Sequence, residues 1–255
     1  MITSRIRQKL GHKIDRKQFG FIAGRNCPRA LIHSITEWHT IIRMHKQCDV
    51  IYFDFRKAFD MVSHNILFQK LRSLGFPQPI IDWYRSLLTD RTSYTRVENT
   101  LSSKTLDIKS GVVQGTVSGP LLFLFFINDI MNIIPPGVKY VLFADDLKLY
   151  SHDPSLLQTA INSIHDWSLA NHLPLAPEKI NVLHLGKRNC NYAYTINNIA
   201  IQAPKTIKDL GITIDNKLNF ESHINKAVRI AMVRVRQILA CFRFTSPEPY
   251  VQVFK

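Results

Sequence analysis

Three aspartates carry the strongest chemical signal in this chain. Asp145 and Asp146 stand side by side in GVKYVLFADDLKLYSHD, between the largely apolar or aromatic run Val138 to Leu142 and the run Leu147 to Tyr150. Adjacent like charges raise each other's ionisation cost. A solvated turn tolerates such a pair, and turns favour aspartate. A divalent metal also resolves the repulsion, provided a third carboxylate arrives from elsewhere. The run VIYFDF delivers one, Asp54, at its C-terminal end. Hard cations such as Mg²⁺ take oxygen ligands and prefer one or two carboxylates plus phosphate. Two such ions about 4 Å apart activate an attacking hydroxyl and stabilise a leaving pyrophosphate. By itself Asp54 reads more readily as a helix cap. The metal chemistry requires its strand to lie beside the segment that carries Asp145 and Asp146.

The surrounding pattern supplies elements able to do this. CDVIYFDF is short, apolar and β-rich, as a buried strand should be, and VKYVLFADDLKLYS reads as a β-hairpin with both aspartates at its tip. Residues 28–46 predict a helix after Pro28 with Leu31, Ile35, Trp38 and Ile42 on one face. Asp60 reads as the N-cap of a helix over MVSHNILFQKLRSLG, closed by Gly75, and PIIDWYRSLLTD begins a further helix after Pro79. TSYTRVEN and LSSKTLDI suggest two strands about a turn at Asn99–Thr100. SGVVQGTVSG is a glycine-rich loop that leads into an apolar helix from Pro120. Residues 154–173 read as a helix. NVLHLG, YAYTINNIAIQ and DLGITID read as strands, with a turn at Asn197–Asn198, and a last long helix runs from Glu221 to Phe242. Helices and strands mix without βαβ regularity, which predicts an α+β fold.

Composition narrows the class. The 255 residues are 45% hydrophobic, enough to build a large core, so the chain is folded. A net charge of +14 points to a polyanionic partner, nucleic acid before an anionic membrane surface. Cys27, Cys48, Cys190 and Cys241 form no C-x-x-C pair and no zinc spacing, which suits reduced thiols inside a cell. His33, His39 and His45 recur every six residues and read as surface histidines. The basic N-terminus has no long apolar run and so is no signal peptide. PLLFLFFINDIMNII is shorter than the roughly 20 residues of a membrane span and carries Asn128 and Asp129, so it reads as a buried helix.

IYFDFRKAFDMVSHNILFQKL, GVVQGTVSGPLLFLFFIND and FADDLKLY occur in that order, with QFGFIAGRN upstream and LAPEKINVLHLG downstream. Together they resemble the reverse transcriptase domain of LINE-type (non-LTR) retrotransposons, over roughly residues 18–242. The resemblance implies a right-hand polymerase palm, an antiparallel sheet with helices on one face. Residues 1–48 would be partial fingers and 49–190 the palm. Residues 191–220 would form a sheet resembling a primer grip, and 221–255 the start of a thumb. It implies an RNA-directed DNA polymerase that uses two Mg²⁺ ions, with Mn²⁺ as a substitute. Its partners would be an RNA template, a DNA primer and deoxynucleoside triphosphates, in the nucleus or cytoplasm and not in a membrane.

By the same resemblance, Asp54 and Asp145 would share both metals and Asp146 would be the weaker, supporting carboxylate. The carbonyl of Phe55 would assist. Phe59, five residues after Asp54, would lie under the sugar of the incoming nucleotide and exclude a 2′-hydroxyl; a plain core aromatic is the alternative. Gln114 and Gly115 would contact nucleotide and template, although glycines are also ordinary turn residues. Lys179 would protonate the leaving pyrophosphate, against the alternative of a solvated lysine. The sequence departs from the family pattern at Arg56, Val113, Thr116, Ser118, Ala176 and Ile180, none of them a metal ligand. The resemblance also implies a stretch cut from a longer polyprotein, without the first finger strands, the rest of the thumb or an endonuclease. A truncated, inactive remnant that only binds nucleic acid is the competing expectation. Phe143 and Ala144 before the aspartates, and Phe59, speak against an RNA-dependent RNA polymerase.

Overall fold

The computed structural model describes residues 2–98, 100–101 and 106–241. Helix α1 spans Ile2–Leu10 and α2 spans Cys27–His45, followed by strand β1, Cys48–Phe53. Helices α3 (His64–Ser73) and α4 (Gln78–Leu88) precede four short strands: β2 Arg91–Ser93, β3 Arg96–Val97, β4 Thr100–Leu101 and β5 Leu106–Ile108. Helix α5 (Ser118–Ile127) leads to β6 (Lys139–Phe143), β7 (Asp146–Ser151) and α6 (Pro154–Ala170). Strand β8 is Asn181–Leu185. Two small hairpins follow, β9 Thr195–Ile196 with β10 Ile199–Ala200, and β11 Thr206–Asp209 with β12 Ile212–Asp215. Helix α7 is Glu221–Cys241. The chain divides into two compact units, Met1–Lys205 and Thr206–Lys255.

In the first unit a four-stranded antiparallel sheet has the order β6-β7-β1-β8. Strand β1 is central, so it is buried on both faces and reads as a continuous apolar run. Its register sets Ile51 against Leu149 and Phe53 against Leu147 on one face. That face joins the main core with α3, α4, α5 and α6. Side chains alternate across a strand, so Val50 and Tyr52 belong to the other face, with Tyr150 and Lys148 opposite them. There α2 brings Trp38 edge-on to Tyr150, at 6.0 Å between ring centroids. The sheet therefore carries helices on both faces, with the larger core on one.

Helix α5 explains itself from its sequence. SGPLLFLFFI is apolar all round, and a helix of that kind is buried all round; Leu121 through Ile127 are each buried. Fully burying one Leu or Phe contributes about 1.5–3 kcal/mol, so this helix anchors the core beneath the sheet. Helix α2 starts at Asn26, whose side chain accepts from Arg29 N, with Pro28 in the first turn. Helix α6 starts at Asp153, which accepts from Ser155 N and Leu156 N.

Some expectations shift. The N-terminal helix α1 was not legible. DLGITID belongs to a hairpin that turns at Leu210 and Gly211, both at positive φ, and its partner strand begins in the preceding residues. The turn at Asn197–Asn198 is as expected, with φ of 48° and 61°. Asn99, half of the other expected turn, lies outside the described residues, as does Phe242. His33 is not a plain surface residue: its ring lies 5.8 Å from that of Phe19, and its Nε2 is buried 3.5 Å from Glu37. His45 stacks on His152 at 3.5 Å.

In the second unit β11 and β12 pair as a hairpin. Asp215 accepts backbone N–H bonds from Lys217, Asn219 and Phe220, which shapes the turn into α7.

Candidate active site

Strand β1 ends one residue before Asp54, and β7 begins at Asp146. The strands are antiparallel neighbours with Phe53 opposite Leu147, so the carboxylates gather at one end of the sheet. The tip of the β6–β7 hairpin is Ala144–Asp145, not the aspartate pair, because Phe143 already pairs with Asp146. Asp145 is half-buried and Asp146 exposed. Burial raises the pKa of Asp145, its own backbone N–H opposes this, and the nearby charge of Asp54 raises it further. Asp54 is 38% exposed and receives the Lys179 ammonium on Oδ1 at 3.3 Å.

Lys179 reaches Asp54 because the backbone binds its segment there. Arg56 N donates to Pro174 O and Ala176 N donates to Asp54 O, both at 2.8 Å. Lys179 N then closes a short helical turn onto Ala176 O. Arg56 and Glu178 add an exposed ion pair at 3.0 Å, which is worth little in water. Phe55 is buried, its ring edge-on to Trp167 at 6.3 Å.

Phe59 lies in the turn after Asp54. This turn depends on Lys57 at φ 45° and on Asp60 N and Met61 N, which both donate to Lys57 O. The Phe59 ring is half-buried and stacks on Phe123 of α5 at 4.3 Å and 19°. The exposed Phe21, from the QFGF segment, meets it edge-on at 5.9 Å.

Asp60 is not a helix cap. Helix α3 starts three residues later than expected, after Ser63. Asp60 instead binds the glycine-rich loop: Gln114 Nε2 donates to its Oδ1 at 2.7 Å and Ser110 Oγ to its carbonyl at 2.8 Å. Gly111 is tied to the same place, since a Cβ there would lie 2.8 Å from Asp60 O. Gly115 differs. It holds φ 78°, and a Cβ added to it would meet no atom within 4 Å, so its backbone faces open space. Asp60 and Gln114 thus link the segment after β1 to the loop before α5.

The hairpin tip has a second support. Gln18 Oε1 accepts from Ala144 N at 2.8 Å, and Gln18 Nε2 donates to Ala144 O at 3.1 Å. At the far end of β1, buried Asp49 accepts from Asn189 Nδ2 and Tyr194 OH, with His184 Nδ1 at 2.8 Å. This network fastens residues 184–194 to the sheet.

Comparison with known proteins decides the family. A family model described as reverse transcriptase (RNA-dependent DNA polymerase) matches residues 1–214. The chain belongs to that family. Among curated relatives of this chain is the probable RNA-directed DNA polymerase from transposon BS of Drosophila melanogaster, 29% identical over 87% of the chain. Another is the RNA-directed DNA polymerase from mobile element jockey of the same species, 28% identical over 89% of the chain. The chain spans about a quarter of the length of both, 26% in each case. Among solved structures, apo telomerase from Candida tropicalis truncated from its C-terminal domain aligns with a TM-score of 0.60 at 15% identity. That alignment covers 86% of this chain and 44% of the other. At that identity the likeness establishes the fold, a palm-like α+β fold of the reverse transcriptase kind.

The sequence reading missed Gln18 as part of the site. Only the QFGF motif itself signalled it. Among the described residues, no three His, Cys, Asp or Glu side chains gather closely enough to cage an ion. None of the described helices is long and apolar enough to cross a membrane.

Proposed function

We propose that this chain performs RNA-directed DNA synthesis of the non-LTR retrotransposon kind. A primer 3′-hydroxyl attacks the α-phosphate of a deoxynucleoside triphosphate, one phosphodiester bond forms, and pyrophosphate leaves. The observation that carries the reading is the shared end of antiparallel β1 and β7, with Asp54 just after one strand and Asp145 just before the other, and Lys179 on Asp54.

The donor set fits divalent magnesium. Asp54 and Asp145 are hard oxygen ligands whose mutual repulsion calls for a cation, and Lys179 supplies one to Asp54. Two carboxylates with phosphate oxygens completing the shell is a usual way to hold Mg²⁺. Bound there, such ions would lower the pKa of the attacking hydroxyl and stabilise charge on the leaving oxygen. Asp54 and Asp145 would hold them, with Asp146 and the Phe55 carbonyl in support.

The remaining roles belong to the chain. Lys179, whose ammonium reaches Asp54 Oδ1, would donate a proton to the departing pyrophosphate. Phe59, backed by Phe123, would bound the ribose. Gln114, held by Asp60, and Gly115, with open space before it, would meet the incoming nucleotide and template. Positioning of this kind supplies much of the rate in phosphoryl transfer. The excess of Lys and Arg suits the phosphates of template and primer, so binding should weaken as salt rises. In this reading residues 1–48 serve as fingers, 49–190 as palm, 191–220 as a primer-gripping sheet and 221–255 as thumb.

The test is incorporation of one deoxynucleotide into a DNA primer on an RNA template, with and without Mg²⁺. The reading expects Mg²⁺-dependent incorporation. Tight binding of primer–template with no incorporation under any metal would instead favour a protein that only binds nucleic acid.

A further inference from the structure

We infer that Gln18 and Gly20 are positioning residues that fix the Ala144–Asp145 turn in the shape its carboxylate requires. The inference rests on the nucleotidyl-transfer reading above and adds residues outside the carboxylate cluster to it.

The turn is unusual in its backbone. Ala144 holds φ 58°, in the left-handed region. An alanine stays there only where its surroundings over-determine it. Its neighbour Asp145 takes its direction from that peptide, so a shift at Ala144 moves the carboxylate.

The surroundings are concentrated in one side chain. Gln18 is 2% exposed. Its Oε1 accepts from both Ala144 N and Gly20 N at 2.8 Å, and its Nε2 donates to Ala144 O at 3.1 Å. One amide therefore captures the N–H and the C=O of the strained residue. The backbone sets the register beside it: Phe19 N donates to Leu142 O at 2.8 Å, and Leu142 N donates to Lys17 O at 3.0 Å. Gly20 completes the clamp by having no side chain. A Cβ there would stand 2.3 Å from Ala144 N and 3.0 Å from its Cα, and backbone cannot yield as a flexible side chain can.

No shorter or charged residue replaces this amide. Asparagine lacks the reach, and a glutamate loses the donor to Ala144 O while adding negative charge beside two aspartates. The Gln18 side chain is neutral and bonds to backbone here, so its effect on the reaction runs through Asp145.

The experiment uses the full chain and Mn²⁺ alone, followed by paramagnetic broadening of amide signals near Asp54 and Asp145. Wild type, Gln18→Met, Ala144→Gly and the double variant are compared, with a thermal melt of each. Gln18→Met is expected to weaken Mn²⁺ binding about tenfold. In the Ala144→Gly background the same change should cost threefold or less, because glycine takes the left-handed φ without help. An unchanged Mn²⁺ affinity in Gln18→Met, or an equal loss in both backgrounds, overturns the inference.

Amide hydrogen exchange on the wild type removes dependence on any variant folding. The Ala144 amide should be protected as strongly as that of Leu142. Free exchange at Ala144 beside a protected Leu142 would also overturn the clamp. Wild type that shows no Mn²⁺ broadening near Asp54 and Asp145 would count against the nucleotidyl-transfer reading instead, and hydrogen exchange would still judge the clamp.

Discussion

Replacing Phe59 by alanine separates two roles that its position allows. The ring stacks on Phe123 at 4.3 Å and meets Phe21 edge-on, but it remains half-buried. Truncating a fully buried Phe costs about 3–5 kcal/mol, so a half-buried ring should cost about 2 kcal/mol. At roughly 2–4 °C per kcal/mol for a chain of this size, the melt should fall by about 4–8 °C. The effect on sugar choice comes from a different source. A ring held flat against Phe123 offers a 2′-hydroxyl neither space nor a hydrogen-bond partner. Burying an unpaired hydroxyl costs about 1–3 kcal/mol, and 1.4 kcal/mol is tenfold. Phe59→Ala should therefore raise the ratio of ribonucleotide to deoxynucleotide kcat/KM by roughly fivefold to a hundredfold. Single-nucleotide incorporation of each sugar on one RNA template reads this ratio. A melt that falls as expected while the ratio stays constant would refute the gate and leave Phe59 as a core aromatic.

Other outcomes follow from the same contacts. Asp60→Ala frees the Gln114 amide. It should raise the KM for nucleotide about fivefold, the worth of one hydrogen bond of about 1 kcal/mol, with little change in kcat or in the melt. Asp129 accepts from Lys70 Nζ and Trp167 Nε1, and burial already holds the Lys70 pKa below its ordinary value. Asp129→Ala leaves a largely buried ammonium with less compensation and should cost about 2–3 kcal/mol by denaturant titration. Burial opposes the charge on Glu37, but hydrogen bonds from Tyr150 and Lys139 outweigh it, so its pKa lies below the ordinary 4.5. A carboxylate shifted down contributes stability above its ordinary value and loses it as pH falls through its folded-state pKa. Glu37→Gln should thus destabilise the chain at pH 7, and the difference from wild type in urea titrations should shrink below about pH 4.5.

The elements around the candidate site were legible because each one obeys a local rule. CDVIYFDF reads as a buried strand since it sits between two neighbours, and SGPLLFLFFI reads as a buried helix since no face of it is polar. That Asp54 and Asp145 share one end of the sheet was conditional in the sequence on two strands lying side by side, and the antiparallel pairing of β1 with β7 meets that condition. What stayed hidden depends on long-range contacts. Asp60 sits where a cap is plausible, yet it bonds a loop 54 residues away. Gln18 is marked only as the first residue of the QFGF motif, and its partner is 126 residues away. Asp145 rather than the pair occupies the tip because Phe143 and Asp146 close the ladder, a choice of register that composition does not encode. Asp49 is an acidic residue in a central strand, tolerated because His184, Asn189 and Tyr194 all reach it.

The central claim is that Asp54 and Asp145 together carry the nucleotidyl-transfer chemistry. Its most direct measurement is Mg²⁺-dependent single-nucleotide incorporation by wild type, Asp54→Asn and Asp145→Asn, each matched for primer–template affinity and thermal melt. Asparagine keeps the shape of each side chain and removes its charge, so the fold should hold. The account predicts incorporation by wild type and a loss of at least a thousandfold in kcat for each variant, with melts within a few degrees of wild type. Near-normal incorporation by either variant would contradict it.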